Sequence, residues 1–189
     1  SKNDKKLQFF YFFEKCKRPG DFAKSSKSSK GFSMSCYNDF IEFASAIPKF
    51  KSLIGLDLGT KTIGIAVSDT LWSVATPRET IKRKKFGIDC DALDIIFKST
   101  DTGGIILGLP MNMDGTEGPR CQATRAFARN LSSRCKFPIT FWDERLSSVA
   151  AERAMLEEDM SRAKRANNID HVAASFILQG ALDRIGNIV

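Results

Sequence analysis

Three acidic residues occupy places where a buried chain would normally be apolar. Asp57 interrupts an apolar segment, Glu144 closely follows another, and Asp170 starts the apolar stripe of the last predicted helix. Carboxylates without histidine partners are hard oxygen ligands, which suit Mg²⁺ or Mn²⁺. If the three converge, they can hold two ions for phosphodiester hydrolysis, in which one ion orients the attacking water and the other stabilises the leaving oxygen.

The chain around these residues predicts an α/β sandwich. Short apolar runs and alternation indicate three antiparallel strands, then alternating helices and strands, with a short amphipathic helix ahead of them that ends before Pro48. The predicted strands cover residues 53–58, 62–68, 74–81, 104–109 and 138–142, and the predicted helices cover 88–99, a segment from Pro119 and a segment from Ile169. The first, fourth and fifth strands would be parallel, so their carboxyl ends, and the acidic residues with them, are expected at one edge of the sheet.

Each acidic residue also has an ordinary structural explanation. Asp57 could serve a turn by accepting hydrogen bonds from nearby amides, although its place within a buried strand favours a functional role. Glu144 could simply pair with Arg145, and Asp170 could stand in the first turn of its helix because the helix dipole favours an acidic residue there. Neighbouring strand residues face opposite sides, so only one of Asp143 and Glu144 can point to a given face, and Asp143 is an alternative ligand.

Two further residues are not assigned to the site. Asp69 ends the second predicted strand, which runs antiparallel to the first, so Asp69 is expected at the opposite edge of the sheet. His171 is the only histidine and follows Asp170 directly. We expect it to be a solvent-facing helical residue rather than a proton-transfer group.

The formal charge of +7 is concentrated in the first part of the chain. Residues 1–33 hold nine Lys/Arg against three Asp/Glu, a net charge of +6, which leaves +1 for the remainder. This segment is rich in Lys and Ser and has no helical or strand period. We therefore expect residues 1–33 to be a basic, low-complexity tail that is disordered or not native, Met34 to be the natural start, and residues 34–189 to form a single domain.

No apolar segment is long enough to cross a bilayer, so the sequence predicts a soluble protein with no membrane partner. The cysteines are odd in number and include no C-x-x-C pair, which fits neither a disulfide framework nor a zinc site. They are read as reduced thiols of a cytoplasmic protein, and they stand at Cys16, Cys36, Cys90, Cys121 and Cys135.

Four segments resemble, in order, the motifs of the YqgF family. They are IGLDLGTKTIGIAVSD at 54–69, LGLPMNMDG at 107–115, DERLSS at 143–148 and IDHVAASFILQ at 169–179. The family comprises ribonuclease-H-like proteins described as Holliday-junction-resolvase-like and as pre-16S rRNA nucleases. The resemblance implies a mixed five-stranded sheet in the order 3-2-1-4-5 with helices on both faces. It also implies that Asp57, Glu144 and Asp170 are catalytic and ligate Mg²⁺ or Mn²⁺.

Two positions depart from the family pattern. Thr62 stands where many members have Arg, and Ser147-Ser148 stands where Thr-Thr is common. Neither departure removes a carboxylate, so only a phosphate contact at position 62 is affected.

The substrate implied by the resemblance is a nucleic acid. The first interpretation is a nuclease that processes the 5′ end of pre-16S rRNA during ribosome biogenesis, with a ribosomal precursor particle as a further partner. The alternatives are a Holliday-junction resolvase acting on branched DNA and a nucleic-acid-binding module without catalysis. An ATPase of the actin and heat-shock-70 type is disfavoured, because the chain has one Asp-x-Gly hairpin and no repeat. Residues proposed to contact phosphate or base are Lys61, Asn112, Arg120, Arg145, Lys164 and Arg165.

Overall fold

The structure is a computed structural model that describes residues 36–146 and 162–188, and it gives the backbone alone for residues 146 and 162–170. The tail expected at 1–33 therefore lies outside the described residues. The strands are β1 (Cys36–Tyr37), β2 (Ser52–Leu58), β3 (Thr62–Ser68), β4 (Ala75–Lys82), β5 (Thr102–Leu109) and β6 (Ile139–Asp143). The helices are α1 (Phe40–Ala46), α2 (Phe86–Ser99), α3 (Pro119–Arg134) and α4 (Arg162–Gly186), and a 3₁₀ turn covers Glu144–Leu146.

Local sequence explains where these elements begin and end. The side chain of Asp39 caps α1 by accepting a hydrogen bond from the Ile41 amide at 2.8 Å. Pro119 occupies the first turn of α3, where its missing N–H costs nothing. Strand β3 is rich in β-branched residues, which favour the extended backbone. The five predicted strands match the observed ones to within two residues at either end.

The strands form one mixed sheet in the order β1-β6-β5-β2-β3-β4. Strands β2, β5, β6 and β1 pair in parallel, whereas β3 is antiparallel to both β2 and β4. The expected order of five strands is confirmed, and β1 adds a sixth at the β6 edge. Because β1 has only two residues, it carries no alternation from which the sequence could predict it.

Helices cover both faces of the sheet. Alternate residues of each central strand point to opposite sides, as the strand period requires. One face packs against α2 and α3 through Ile54, Leu56, Ile65, Ile105 and Leu107, all fully buried. The other packs against α1 and α4 through Leu53, Ala66, Ile106 and Trp142.

The α1/α4 face of the sheet carries three glycines that allow close approach, which we call the glycine seam (Gly55, Gly104 and Gly108). A Cβ at Gly55 would lie 2.7 Å from the Cβ of Leu178 on α4, and one at Gly108 would lie 2.5 Å from Cδ1 of Ile177. A Cβ at Gly104 would lie 2.8 Å from Cγ2 of Ile47, directly after α1. Larger side chains at these positions would push the helices away from the sheet.

Helix α4 begins earlier than the sequence predicted. The expected start was Ile169, but the helix already includes Arg162. Residues 162–168 are Arg, Lys, Ala and Asn and have no apolar period, so periodicity did not indicate a helix there. The early start places Asp170 inside the helix rather than in its first turn. Within the described ranges, no helix is long and apolar enough to span a membrane.

Candidate active site

The carboxyl ends of three parallel strands meet at one edge of the sheet, which we call the carboxyl edge. Strand β2 ends at Leu58, β5 at Leu109 and β6 at Asp143. In open α/β sheets ligands bind outside such an edge. The acidic residues singled out from the sequence lie at or next to these strand ends.

Asp57 lies on the α1/α4 face of β2 and is only 6% exposed. It shares this face with Gly55, two residues earlier, which is covered by Ala174 and Leu178 of α4. The main chain contributes to the turn after Asp57, since the Gly59 amide donates to the main-chain carbonyl of Asp57 at 3.2 Å. Arg83 also donates from Nη1 to the Gly59 carbonyl at 2.8 Å. The backbone and Arg83 therefore both help to hold this turn.

Glu144 reaches the same face from the neighbouring part of the sheet. Its Oε1 lies 2.6 Å from the point that a Cβ of Gly108 would occupy. Strands β2 and β5 are in register with Leu56 beside Leu107, so Asp57 lies beside Gly108. Neighbouring strands are about 4.8 Å apart. The structure thus brings Asp57 and Glu144 to adjacent positions on one face at the carboxyl edge.

Asp143 and Arg145 form a pair of their own. Nη2 of Arg145 donates to Oδ2 of Asp143 at 2.7 Å, and Nε donates to both carboxylate oxygens at 3.1 Å. These hydrogen bonds hold the pKa of Asp143 below its ordinary value. Arg145 and Asp143 therefore engage each other.

The backbone of α4 brings Asp170 to the level of Asp57. Thr80 Oγ1, near the end of β4, lies 3.2 Å from Nδ1 of His171, and Gln179 Oε1 accepts from the Ala75 amide at the start of β4. Because β3 is antiparallel to both β2 and β4, strand β4 ends at the carboxyl edge. Helix α4 therefore passes the carboxyl edge first and runs away from it. Ala174 of α4 lies against Gly55 of β2. Asp170 is about 6 Å before Ala174 along the helix, and Asp57 is about 6.6 Å beyond Gly55 along the strand, so the backbone of Asp170 lies level with Asp57.

Two expectations about this part of α4 are corrected. Asp170 is not in the first turn of the helix, since α4 includes Arg162, so the helix dipole does not account for an acidic residue there. His171 was expected to face solvent, but it is half-buried against β4 and lies within hydrogen-bond distance of Thr80. The side chain of Asp170 lies outside the described atoms.

The donor set at this edge fits a hard divalent cation. Asp57 and Glu144 offer carboxylate oxygens, the ligand type that Mg²⁺ and Mn²⁺ prefer. Among the side chains that the structure describes, no three His, Cys, Asp or Glu residues converge closely enough to form a complete metal site. Asp170 is the expected third carboxylate, and only its backbone is described.

The residues expected to contact nucleic acid differ in their surroundings. Lys61, in the turn between β2 and β3, and Arg120, in the first turn of α3, are both exposed at the carboxyl edge. Asn112 instead serves the loop that follows β5, because its Nδ2 donates to Thr116 Oγ1 at 2.9 Å. Two more stand in the first turn of α4, of which the backbone alone is described, and they are Lys164 and Arg165.

Asp69 lies at the opposite edge, as expected. Its Oδ1 accepts from the amides of Ser73 and Val74 at 2.7 and 2.9 Å, and these and other backbone hydrogen bonds lower its pKa. Its carboxylate serves the turn between β3 and β4.

The sequence reasoning missed two residues of the site. Gly108 leaves the space that the Glu144 carboxylate occupies, and Arg83 holds the β2–β3 turn. A glycine inside an otherwise bulky apolar strand is a signal of close approach and could have indicated Gly108. Arg83 carries no such signal, because it stands in a run of four basic residues.

Comparison with known proteins identifies the family. The model of the RuvX family, described as Holliday junction resolvase, matches residues 51–184. A Ruegeria pomeroyi protein named "Putative pre-16S rRNA nuclease" is 65% identical over 147 residues, which cover 78% of this chain and 96% of that protein. A Rhizobium meliloti protein of the same name is 58% identical over 147 residues, which cover 78% of this chain and 89% of that protein.

Solved structures resemble the chain more distantly. T. thermophilus RuvC in complex with Holliday junction substrate has 13% identity and a TM-score of 0.48, covering 72% of this chain and 96% of that chain. The yeast mitochondrial Holliday junction resolvase Ydc2 has 10% identity and a TM-score of 0.45, covering 79% of this chain and 85% of that chain. The family match over residues 51–184 and relatives at 58% and 65% identity show that the chain belongs to the RuvX family, the family that the four YqgF motifs indicated.

Proposed function

We propose that this protein is a divalent-metal-dependent nuclease that hydrolyses phosphodiester bonds at the 5′ end of pre-16S rRNA. The observation that carries the proposal is the placement of Asp57 and Glu144 on one face at the carboxyl edge. Two carboxylates at adjacent positions repel each other unless a cation or a proton lies between or beside them. Membership of the RuvX family and the name of the curated relatives support the nuclease activity.

In this proposal Asp57, Glu144 and Asp170 hold one or two Mg²⁺ or Mn²⁺ ions. The ions, when bound, activate the attacking water and stabilise the leaving oxygen. Asp57 is rigidly placed, because its strand is buried on both sides and packed against α4. Glu144 is positioned by the space at Gly108, and the exposed cations Lys61 and Arg120 would attract the phosphate backbone.

The relatives' name and the family description point to different substrates. The relatives' name favours precursor RNA, with a ribosomal precursor particle as its setting and the cytoplasm as its location. The family description favours branched DNA as the alternative substrate. A protein that reads the 2′-hydroxyl distinguishes RNA from DNA, so matched RNA and DNA substrates separate the two.

The test compares three substitutions with a matched control. Asp57→Asn, Glu144→Gln and Asp170→Asn each remove a charge with little change of shape, and each is expected to abolish cleavage in Mg²⁺ or Mn²⁺. Asp101→Asn is the control, because Asp101 is an exposed carboxylate before β5, at the opposite edge, and pairs with Lys51. Its φ of +50° is one that Asn accepts readily.

The assay measures cleavage of a pre-16S 5′-leader RNA, the same sequence as DNA, and a four-way DNA junction. Each is tested with Mg²⁺, with Mn²⁺ and with a chelator. The proposal expects RNA cleavage that the chelator abolishes and that Asp101→Asn retains. Junction cleavage alone would leave the nuclease site standing and replace the substrate, whereas full activity of Asp57→Asn would refute the site itself.

A further inference from the structure

A short loop after β5 presents an apolar side chain beside the carboxyl edge. We call residues 110–118 the β5–α3 loop. Its centre is a tight turn, in which the Gly115 amide donates to the Asn112 carbonyl at 2.9 Å. Asn at the first position and Gly at the fourth favour a type I turn, and Gly115 has a φ of +86° that suits glycine. Met113 therefore stands at the corner of the turn.

The turn is rigidly built. Asn112 binds Thr116 twice, through its amide to the Thr116 carbonyl at 3.0 Å and through Nδ2 to Oγ1 at 2.9 Å. Oδ1 of Asp114 accepts from the Thr116 amide at 2.9 Å and from its hydroxyl at 2.6 Å. The Asp114 carboxylate is thus engaged within the loop, and its pKa is lowered by the hydrogen bonds from Thr116.

Met113 is 92% exposed, the most exposed large apolar side chain in the described part of the chain. The ordered turn holds it away from the protein surface, so no rearrangement of the loop is needed to expose it. Its thioether side chain is flexible and polarisable and adapts to flat apolar surfaces.

The β5–α3 loop is joined to the acidic site. It leaves β5 one residue after Gly108, whose missing Cβ makes room for Glu144. Arg145, the residue after Glu144, lies against the turn, with Nη1 3.4 Å from the position of a Cβ at Gly115. The loop also leads into α3, where Arg120 is exposed. Met113 therefore lies on a loop that adjoins Glu144 and is flanked by Arg145 and Arg120.

We propose that Met113 packs between two neighbouring bases of the nucleic acid and holds the strand unstacked next to the bond that is cut. Proteins that insert apolar side chains such as Met between base steps pay for unstacking with the contacts that the bent strand then makes. The inference rests on the proposed function, because it deepens the recognition of the same substrate. It predicts a preference for substrates whose bases near the cleaved bond are already unpaired.

Binding is measured with hairpin RNAs that carry 2-aminopurine, whose fluorescence rises on unstacking. One hairpin has a fully paired stem and the other has a mismatch at the labelled step. All proteins carry Asp57→Asn, so that no cleavage is expected during the measurement. The added variants are Met113→Ala, which removes the wedge, and Met113→Leu, which keeps an apolar side chain.

The control is Ile95→Ala, because Ile95 is 70% exposed on α2, on the other face of the sheet. Met113→Ala is expected to weaken binding to the paired hairpin about tenfold and to remove the fluorescence rise, by analogy with the loss of one base contact. Binding to the mismatched hairpin should change by less than about twofold, since its step is already open. Met113→Leu and Ile95→Ala should behave like the parent.

The results separate this inference from the proposed function. Equal binding of the paired hairpin by the parent and by Met113→Ala overturns the inference, as does an equal loss in Ile95→Ala. Metal-dependent cleavage by the unsubstituted protein without any fluorescence rise also overturns it and leaves the nuclease standing. A fluorescence rise that depends on Met113, together with no cleavage by the protein in which Asp57 is intact, supports the wedge and refutes the nuclease.

Discussion

Replacing Gly108 with Ala should displace the Glu144 carboxylate without removing any charge. The new Cβ would lie 2.6 Å from Glu144 Oε1 and 2.5 Å from Ile177 Cδ1, whereas ordinary contacts begin at 3.4 Å. The carboxylate oxygen must therefore retreat by about 0.8 Å, and a misplacement of about 1 Å at a reacting centre can lower the rate about 100-fold. The crowded Ile177 adds an overpacking cost of about 1–3 kcal/mol.

The matched control is Gly104→Ala, on the same strand and the same face. Its Cβ would lie 2.8 Å from Ile47 Cγ2 and 3.2 Å from side-chain atoms of Leu53 and Phe43, far from the carboxyl edge. Both variants should melt roughly 2–12 °C lower than the parent. Cleavage per folded molecule, measured well below both melting temperatures, should fall only in Gly108→Ala.

Combining Gly108→Ala with Glu144→Gln tests the mechanism of the loss. Where Glu144→Gln leaves a measurable residual rate, an alanine that acts through Glu144 should not lower that rate further in the double variant. Full activity of Gly108→Ala would mean that the Glu144 carboxylate takes no part in the reaction where the structure places it.

Two further outcomes are expected. Mg²⁺ at about 100 times its dissociation constant should stabilise the protein by about 2.7 kcal/mol, measured as a higher melting temperature. Asp57→Asn should lose that increase in melting temperature, whereas Asp101→Asn should keep it. Identical melting curves of the parent with chelator and with Mg²⁺ would contradict a metal site. Burial raises the pKa of the Cys90 thiol from 9.0 to about 11. Between these pH values the unfolded chain loses a proton that the folded chain keeps, so the free energy of unfolding, measured by urea denaturation, should fall as pH rises from 9 to 11. Cys90→Ala should flatten that fall, and an unchanged slope would show that other groups cause it.

The five longer strands were predictable because the local sequence, through its apolar runs and the turn residues that bound them, indicates an extended backbone. The β-branched run of β3 and the turn residues on either side of it indicate a strand in any context. The two-residue β1 has no such signal and exists because it pairs with Ile139 and Thr140 of β6. Similarly, the apolar stripe of α4 covers only the later part of the helix, so periodicity located that part and missed the earlier turns.

The site was predictable in its residue types but not in its geometry. Alternation predicted that Asp143 and Glu144 face opposite sides as strand residues, whereas β6 ends at Asp143 and Glu144 begins a 3₁₀ turn. Only the register of β2 with β5 and the gap at Gly108 place Glu144 beside Asp57. The role of Asn112 within its turn depends on Thr116, four residues later, and composition does not indicate that contact. The strand register and the gap at Gly108 arise from tertiary packing, and the Asn112–Thr116 contact arises from the geometry of its turn, so spacing alone predicts neither.

The glycine seam has a consequence for the choice of ion. Because Gly55 and Gly108 bring Leu178 and Ile177 of α4 against the strand backbones, the contact has little compressibility, and α4 has little room to shift against the sheet. Mg²⁺ requires short oxygen contacts of about 2.0–2.1 Å in a strict octahedron, whereas Ca²⁺ prefers about 2.3–2.6 Å in looser shells. If the proposed site binds a metal, a rigid contact between α4 and the sheet would favour the smaller ion, so the glycines that seat the helix would also select by ionic radius.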